Sequence, residues 1–163
     1  MIKTFTSPNR YIQGFNIIKD FGKYISHLGS KPFIIGGKTA LSTIRESVLK
    51  SVAERSMECD FAVFSGKGTR SDAAGLTRKA TDFGADVIVG AGGGLVLDTA
   101  KAVAIGMDLP VIMVPTVAST DAPCSAEALQ YTEDHRFDRE IKLKRNPAVS
   151  YTHLRAHETG RNL

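Results

Sequence analysis

Asp86-Val87-Ile88-Val89-Gly90-Ala91-Gly92-Gly93-Gly94 is the stretch that decides the fold. It is apolar after its first residue and runs straight into glycines. Leu95 to Met107 follows, rich in small and apolar residues, and reads as a helix buried on most of its sides. Strand, glycine turn and helix together make most of a βαβ unit. Upstream, Ser71 or Asp72 is placed to cap a helix that runs to about Phe83 and stops at Gly84. Before it, Phe61-Ala62-Val63-Phe64 is a strand broken by Ser65-Gly66-Lys67-Gly68. Leu41, Ile44, Val48 and Val52 mark one stripe of an earlier helix, and Phe33-Ile34-Ile35-Gly36-Gly37 is a buried strand ending in a glycine turn. Ile18, Phe21, Ile25 and Leu28 recur at steps of three and four, which predicts an amphipathic helix over Phe15 to Leu28 with Gly29 as its stop. Downstream, Leu109 to Pro115 is the next strand, with Pro110 confined to its start. After Pro115 the alternation fades. Leu129 to Tyr131 and Phe137 to Leu143 are able to pair as a β-hairpin across Thr132 to His135. The pattern predicts an α/β fold, three-layer and Rossmann-like, with a mainly parallel sheet.

Composition sets the outer limits. The 163 residues suit one domain with a proper core, and 42% hydrophobic with 23% charged residues is ordinary for a globular protein. The net charge of +4 does not concentrate on one face, so no nucleic-acid partner is expected. The one dense basic patch, His135 to Arg145, is interleaved with Asp138 and Glu140 and reads as a solvated strand edge or loop. Cys59 and Cys124 are far apart and show no CxxC spacing, which fits a reducing compartment. Met1 to Arg10 lacks the apolar core of a signal peptide, and no apolar run is long enough for a bilayer. The expectation is a cytoplasmic protein with no membrane partner.

Glycines after a strand let backbone approach a phosphate closely, and the helix start beyond them offers free N–H groups and a positive dipole end. Gly90-Ala91-Gly92-Gly93-Gly94 is not a GxGxxG fingerprint, and taken alone it fits a ligand-free tight turn equally well. Asp98 and Lys101, three apart in the following helix, have the spacing of an exposed ion pair. The next strand ends in Pro115-Thr116-Val117-Ala118-Ser119-Thr120-Asp121-Ala122-Pro123-Cys124-Ser125. Its hydroxyls and the Asp121 carboxylate form a polar lip at the carboxyl end of a strand, where open α/β sheets bind ligands. A hydroxyl-rich loop with Asp121 capping a turn is the plain alternative.

Gly92-Gly93-Gly94 with Asp98-Thr99-Ala100-Lys101, followed by the PTxASTDAPCS segment, resembles the glycerol dehydrogenase branch of the metal-dependent (iron-containing) alcohol dehydrogenases. Ser7-Pro8 with Tyr11-Ile12-Gln13-Gly14, and Tyr131-Thr132 with Phe137-Asp138-Arg139, match the same branch, so the similarity covers about residues 1 to 148. The resemblance implies a dehydroquinate synthase-like N-terminal domain, a separate C-terminal helical domain missing from this chain, and a homo-oligomer when full length. The implied activity is oxidation of glycerol, a small polyol, to dihydroxyacetone by hydride transfer to NAD. Gly92, Gly93 and Gly94, with Leu95 and Asp98 beside them, would then belong to the cofactor site, Gly94 and its neighbours holding the pyrophosphate. Thr116 and Ser119 would line the adenosine or phosphate path, Ser125 and Tyr131 would lie beside the nicotinamide half, and Asp121 would bind the substrate hydroxyls. The family's zinc is held by one Asp and two His of the helical half and acts as a Lewis acid on the alkoxide.

Three features depart from that pattern. Gly37 stands where an acidic residue usually meets the adenosine ribose, so NADP becomes possible beside NAD. Leu95 replaces a usual lysine, which removes a cation from the phosphate site, and Val96 also differs. Beyond Asn146-Pro147-Ala148, the run Val149-Ser150-Tyr151-Thr152-His153-Leu154-Arg155-Ala156-His157-Glu158-Thr159 looks like the translated frame of a sequencing-library adapter. The expected division is therefore a dinucleotide-binding domain over residues 1–148 and a non-native tail over 149–163. His153 and His157 stand four apart but have no third ligand nearby, so no metal is assigned. The alternatives are a catalytically inactive nucleotide-binding fragment, or a related hydroxycarboxylate or diol dehydrogenase of the same family.

Overall fold

In the computed structural model, which describes residues 7–152, six parallel strands form one sheet. Strand β1 is Arg10–Gln13; a 3-10 turn (Ile17–Asp20) and the short helix α1 (Phe21–Ile25) follow it. Then come β2 (Pro32–Gly36), α2 (Lys38–Ala53), β3 (Asp60–Val63), α3 (Arg70–Phe83), β4 (Val87–Gly92), α4 (Gly94–Met107) and β5 (Val111–Pro115). A two-stranded antiparallel ribbon, β6 (Glu127–Tyr131) and β7 (Phe137–Lys142), precedes β8 (Val149–Thr152). The sheet order is β1-β8-β5-β4-β2-β3. Every neighbouring pair is parallel.

Parallel sheets are covered on both faces, so their inner strands are apolar throughout rather than alternating. β2, β4 and β5 are buried at every position. Within them the side chains divide between the faces with period two. Ile34, Val89, Ile112 and Val114 pack with Phe21, Ile44 and Val48 of α1 and α2. Phe33, Ile35, Ile88 and Met113 pack with Leu76, Leu97 and Val103 of α3 and α4. The result is the expected three layers.

Several local expectations need correction. Phe15 to Leu28 is not one helix: Asn16 takes a left-handed φ of 55°, a 3-10 turn follows, and α1 ends at Ile25. The burial at Ile18, Phe21 and Ile25 is as the spacing predicts. Steps of three and four do not distinguish a 3-10 turn from an α-helix, and the chain uses both. The cap of α3 is Thr69, not Ser71 or Asp72. Thr69 Oγ1 accepts the Asp72 N–H at 3.1 Å, and Asp72 reciprocates on the Thr69 N–H at 3.3 Å. The sheet also contains β1 and β8, which apolar patterning did not mark. β8 lies wholly beyond the boundary expected at residue 148, and its Val149 and Tyr151 are fully buried in the core cluster shared with α1 and α2. His153 and His157 lie outside the described residues.

Replacing Thr69 with alanine removes the hydroxyl that accepts the Asp72 N–H, while the backbone N–H of residue 69 can still donate to Asp72, and is expected to cost about 1 kcal/mol of stability. Urea denaturation compared with the parent chain measures it, and an unchanged midpoint contradicts it.

Candidate functional site: a glycine bend at the switch point of the sheet

The crevice follows from the connections. β2 and β4 are neighbours, with Gly36 opposite Ala91. The chain leaves β2 into α2 on one face and leaves β4 into α4 on the other. Adjacent strands whose helices depart to opposite faces make a topological switch point, and the gap beyond their carboxyl ends is where such sheets bind ligands. Gly37 closes β2 there and Gly93 opens α4.

Gly92 has a φ of 155°, and a Cβ on it would come within 3.0 Å of Val96 Cγ2. A residue with a side chain is strained there. Gly93 is the N-cap of α4 and supplies no side-chain cap; its carbonyl accepts the Val96 N–H at 3.1 Å. The N–H groups of Gly94 and Leu95, in the first turn, have no intrahelical acceptor. No acidic residue occupies that turn. A helix start of this kind favours an anion.

The polar segment after β5 folds directly onto this bend. Thr116 N–H donates to Gly92 O at 3.0 Å. Thr120 Oγ1 stands 2.9 Å from where a Cβ of Gly94 would be, and Val117, 44% exposed, stands 3.7 Å from the same position on Gly93. Ser119 is exposed on the same loop. The exposed Asp121 begins a turn in which its carbonyl accepts the N–H groups of Cys124 and Ser125 at 2.9 and 3.1 Å. The structure thus brings Gly92, Gly93, Gly94, Leu95, Thr116, Ser119 and Asp121 to one edge of the sheet. Tyr131 stands at the far wall, where its N–H donates to Gly68 O at 3.1 Å and Gly68 abuts Leu95.

The ribbon itself is held by ion pairs. Lys67 reaches Glu133 at 2.9 Å and Arg70 reaches Asp138 at 2.6 Å. The basic patch from His135 to Arg145 falls largely on β7, with Lys142 paired to Glu127 and Glu140 at 3.3 Å. It is a solvated strand edge, as its mixed charge predicts. Gly37 caps α2 with no atom within 4 Å of its would-be Cβ, so the carboxyl end of β2 is open and carries no acid.

Asp98 and Lys101 are not the exposed pair that their spacing suggests. Lys101 is fully buried, and the Asp98 side chain is 14% exposed. The Lys101 ammonium donates to Asp98 Oδ1 at 3.3 Å, Ser125 Oγ at 2.9 Å and the Glu127 carbonyl at 2.6 Å. Asp98 Oδ2 accepts the Leu129 N–H at 3.2 Å. Burial pushes the Asp98 carboxyl above its usual range, while the Lys101 charge and the Leu129 N–H pull it back; Asp121 adds a small upward push. Burial likewise lowers the Lys101 ammonium, against the carboxylates of Asp98 and Asp121. Lys101 and Val117 are site neighbours to which sequence reasoning gave no part, and Thr120 is one of the lip hydroxyls to which it gave no separate role. For Lys101 the signal was present, since a helix buried on most sides leaves little room for an exposed lysine.

Among the described residues, no three His, Cys, Asp or Glu side chains gather to hold a metal ion. Asp98 is already engaged by Lys101 and Leu129, so the zinc that the resemblance implies does not fit here. A hollow at the opposite end of the sheet, beside Asp108, Leu109, Lys144 and Asn146, lies away from the strands' carboxyl ends. No described helix is long and apolar enough to cross a membrane.

A doubly wound α/β unit with a glycine bend at its switch point is an architecture in which a ligand crevice opens beyond the strands' carboxyl ends. Residues 8–152 match the model of the iron-containing alcohol dehydrogenases, and the chain belongs to that family. It is 38% identical over 149 residues to a glycerol dehydrogenase of Pseudomonas putida, covering 91% of this chain and 41% of that one. It is 35% identical to a glycolaldehyde reductase of Halobacterium salinarum, over 85% of this chain and 38% of the other. The crystal structure of a probable glycerol dehydrogenase from Sinorhizobium meliloti 1021 superposes with a TM-score of 0.84 at 33% identity, over 93% of this chain and 41% of that one. The chain spans about two-fifths of the length of the curated relatives it matches.

Replacing Asp98 with alanine strands the buried Lys101 charge and is expected to cost about 3 kcal/mol, the order seen when one partner of a buried pair is removed. Urea denaturation checks it; a loss below about 1 kcal/mol, typical of exposed pairs, contradicts the burial described.

Proposed function

We propose that this chain is the dinucleotide-binding part of an NAD-dependent polyol dehydrogenase whose whole protein oxidises glycerol to dihydroxyacetone. The observation that carries this is the glycine bend of β4 at the switch point, with the Thr116–Asp121 loop folded onto it. NAD, when bound, supplies the hydride acceptor. The free N–H groups of Gly94 and Leu95 would hold its pyrophosphate without the lysine common at position 95. By the resemblance, the adenosine ribose would meet the carboxyl end of β2 at Gly37, next to β4 in the sheet. The other half of the dinucleotide then extends toward β5 and the ribbon, past Asp98, Asp121, Ser125 and Tyr131. Thr116 and Ser119 offer hydroxyls along the path, and Val117 an apolar wall. The exposed Asp121 carboxylate would accept hydrogen bonds from a polyol. Two free thiols, Cys59 and Cys124, suit the cytoplasm.

The described residues assemble no site for a metal ion. Because the chain spans about two-fifths of its relatives' length, a second reading for it taken alone is a nucleotide-binding unit without turnover. The halobacterial relative named as a glycolaldehyde reductase keeps other small hydroxy substrates of the same class as alternatives to glycerol.

Calorimetric titration with NAD, combined with an absorbance assay for NADH in glycerol with and without zinc, tests these statements. Saturable NAD binding without turnover is expected. Failure to bind any dinucleotide overturns the assignment, and zinc-dependent turnover overturns the non-catalytic reading. Gly94→Val, which drives a branched side chain into Thr120, is expected to weaken NAD binding at least about tenfold, or about 1.4 kcal/mol. With no acid at Gly37, NADP is expected to bind within about tenfold of NAD; a much larger preference for NAD removes the idea of tolerance.

A further inference from the structure

Lys101 is the only charged residue among the fully buried described side chains. It sits mid-helix in α4, among Leu97, Ala100, Val103 and Ala104, all buried. Burying an ammonium is costly unless each of its hydrogens finds an acceptor, and an apolar residue of similar volume often serves packing as well or better. Here three acceptors are supplied, and two of them belong to another part of the chain. Asp98 lies one turn back on α4, whereas Ser125 Oγ and the Glu127 carbonyl lie on the segment that leaves the Asp121 turn and enters β6. Asp98 in turn takes the Leu129 N–H of the same strand. Two charges from one helix therefore clamp residues 125 to 129, the stretch between Asp121 and Tyr131.

We infer that Lys101 is a positioning residue for the nicotinamide half of the cofactor: it fixes Ser125 and the base of the ribbon against α4, at a set distance from the glycine bend. This rests on the proposed dinucleotide site. The ammonium makes none of its contacts on the β2 side, where the adenosine ribose would sit. It stands seven residues beyond Gly94 along the helix, about 10 Å at 1.5 Å per residue. The pyrophosphate donors Gly94 and Leu95 make no contact with it. Loss of the clamp should therefore be felt by one half of the ligand and not by the other. A lysine that only supported the fold would affect both halves alike.

The test compares NAD with ADP-ribose, which carries the adenosine, the diphosphate and both riboses but no nicotinamide. Both are titrated into the 163-residue chain and into Lys101→Met, with circular dichroism to verify the fold. The expected result is an NAD affinity lowered at least about tenfold, with ADP-ribose changed less than about twofold. Equal weakening of both ligands, or of neither, overturns the positioning role while leaving the cofactor site standing. Absence of ADP-ribose binding by the parent chain removes the site and this inference with it. Should Lys101→Met fail to fold, Lys101→Gln, whose amide retains a donor, carries the same comparison, and the same ratio of effects decides.

Discussion

A parallel sheet buried on both faces forces its connecting helices to divide between them, and this constraint creates the crevice. Because Ile34 and Val89 need cover on one side while Phe33 and Ile88 need it on the other, α2 and α4 leave neighbouring strands in opposite directions. Nothing can then fill the space beyond the ends of β2 and β4 except loops. The glycine bend occupies that gap with backbone rather than side chains, which is what exposes N–H groups instead of covering them.

The same packing explains which parts of the fold were legible in the sequence. β2, β4 and β5 are buried throughout, so their apolar runs announce them. β1 is exposed at three of four positions and pairs on one side only, so nothing in its composition separates it from a loop. β8 is a four-residue strand whose Ser150 is fully buried on one face between apolar neighbours on the other. Such a short segment is recognisable only through its partners, β1 and β5. At the N-terminus the hydrophobic spacing gave the right contacts and the wrong geometry, since Asn16 at positive φ and the 3-10 turn over Ile17–Asp20 break the path into pieces.

At the candidate site, residue types told more than spacing did. Glycines, hydroxyls and Asp121 were identifiable because polar groups clustered after a strand have few roles besides capping and binding. Their convergence on one edge depends on long-range pairing of β4 with β5, which no local pattern encodes. Lys101 shows the converse failure. A three-residue spacing to Asp98 is the same for an exposed and a buried pair, and only the ribbon folding over α4 distinguishes them.

Charge then bears on what the crevice would accept. Asp98 and Asp121 both act on Lys101, so two carboxylates face one ammonium on the ribbon side. The anionic part of a dinucleotide would find its donors at the helix start, away from these acids. An anion approaching the exposed Asp121 would meet negative charge there, attenuated by solvent and salt. A neutral polyol carries hydroxyls that donate to a carboxylate without that penalty. Along this edge the donors that favour an anion and the acids that oppose one are thus kept apart, the former at the start of α4 and the latter toward the ribbon.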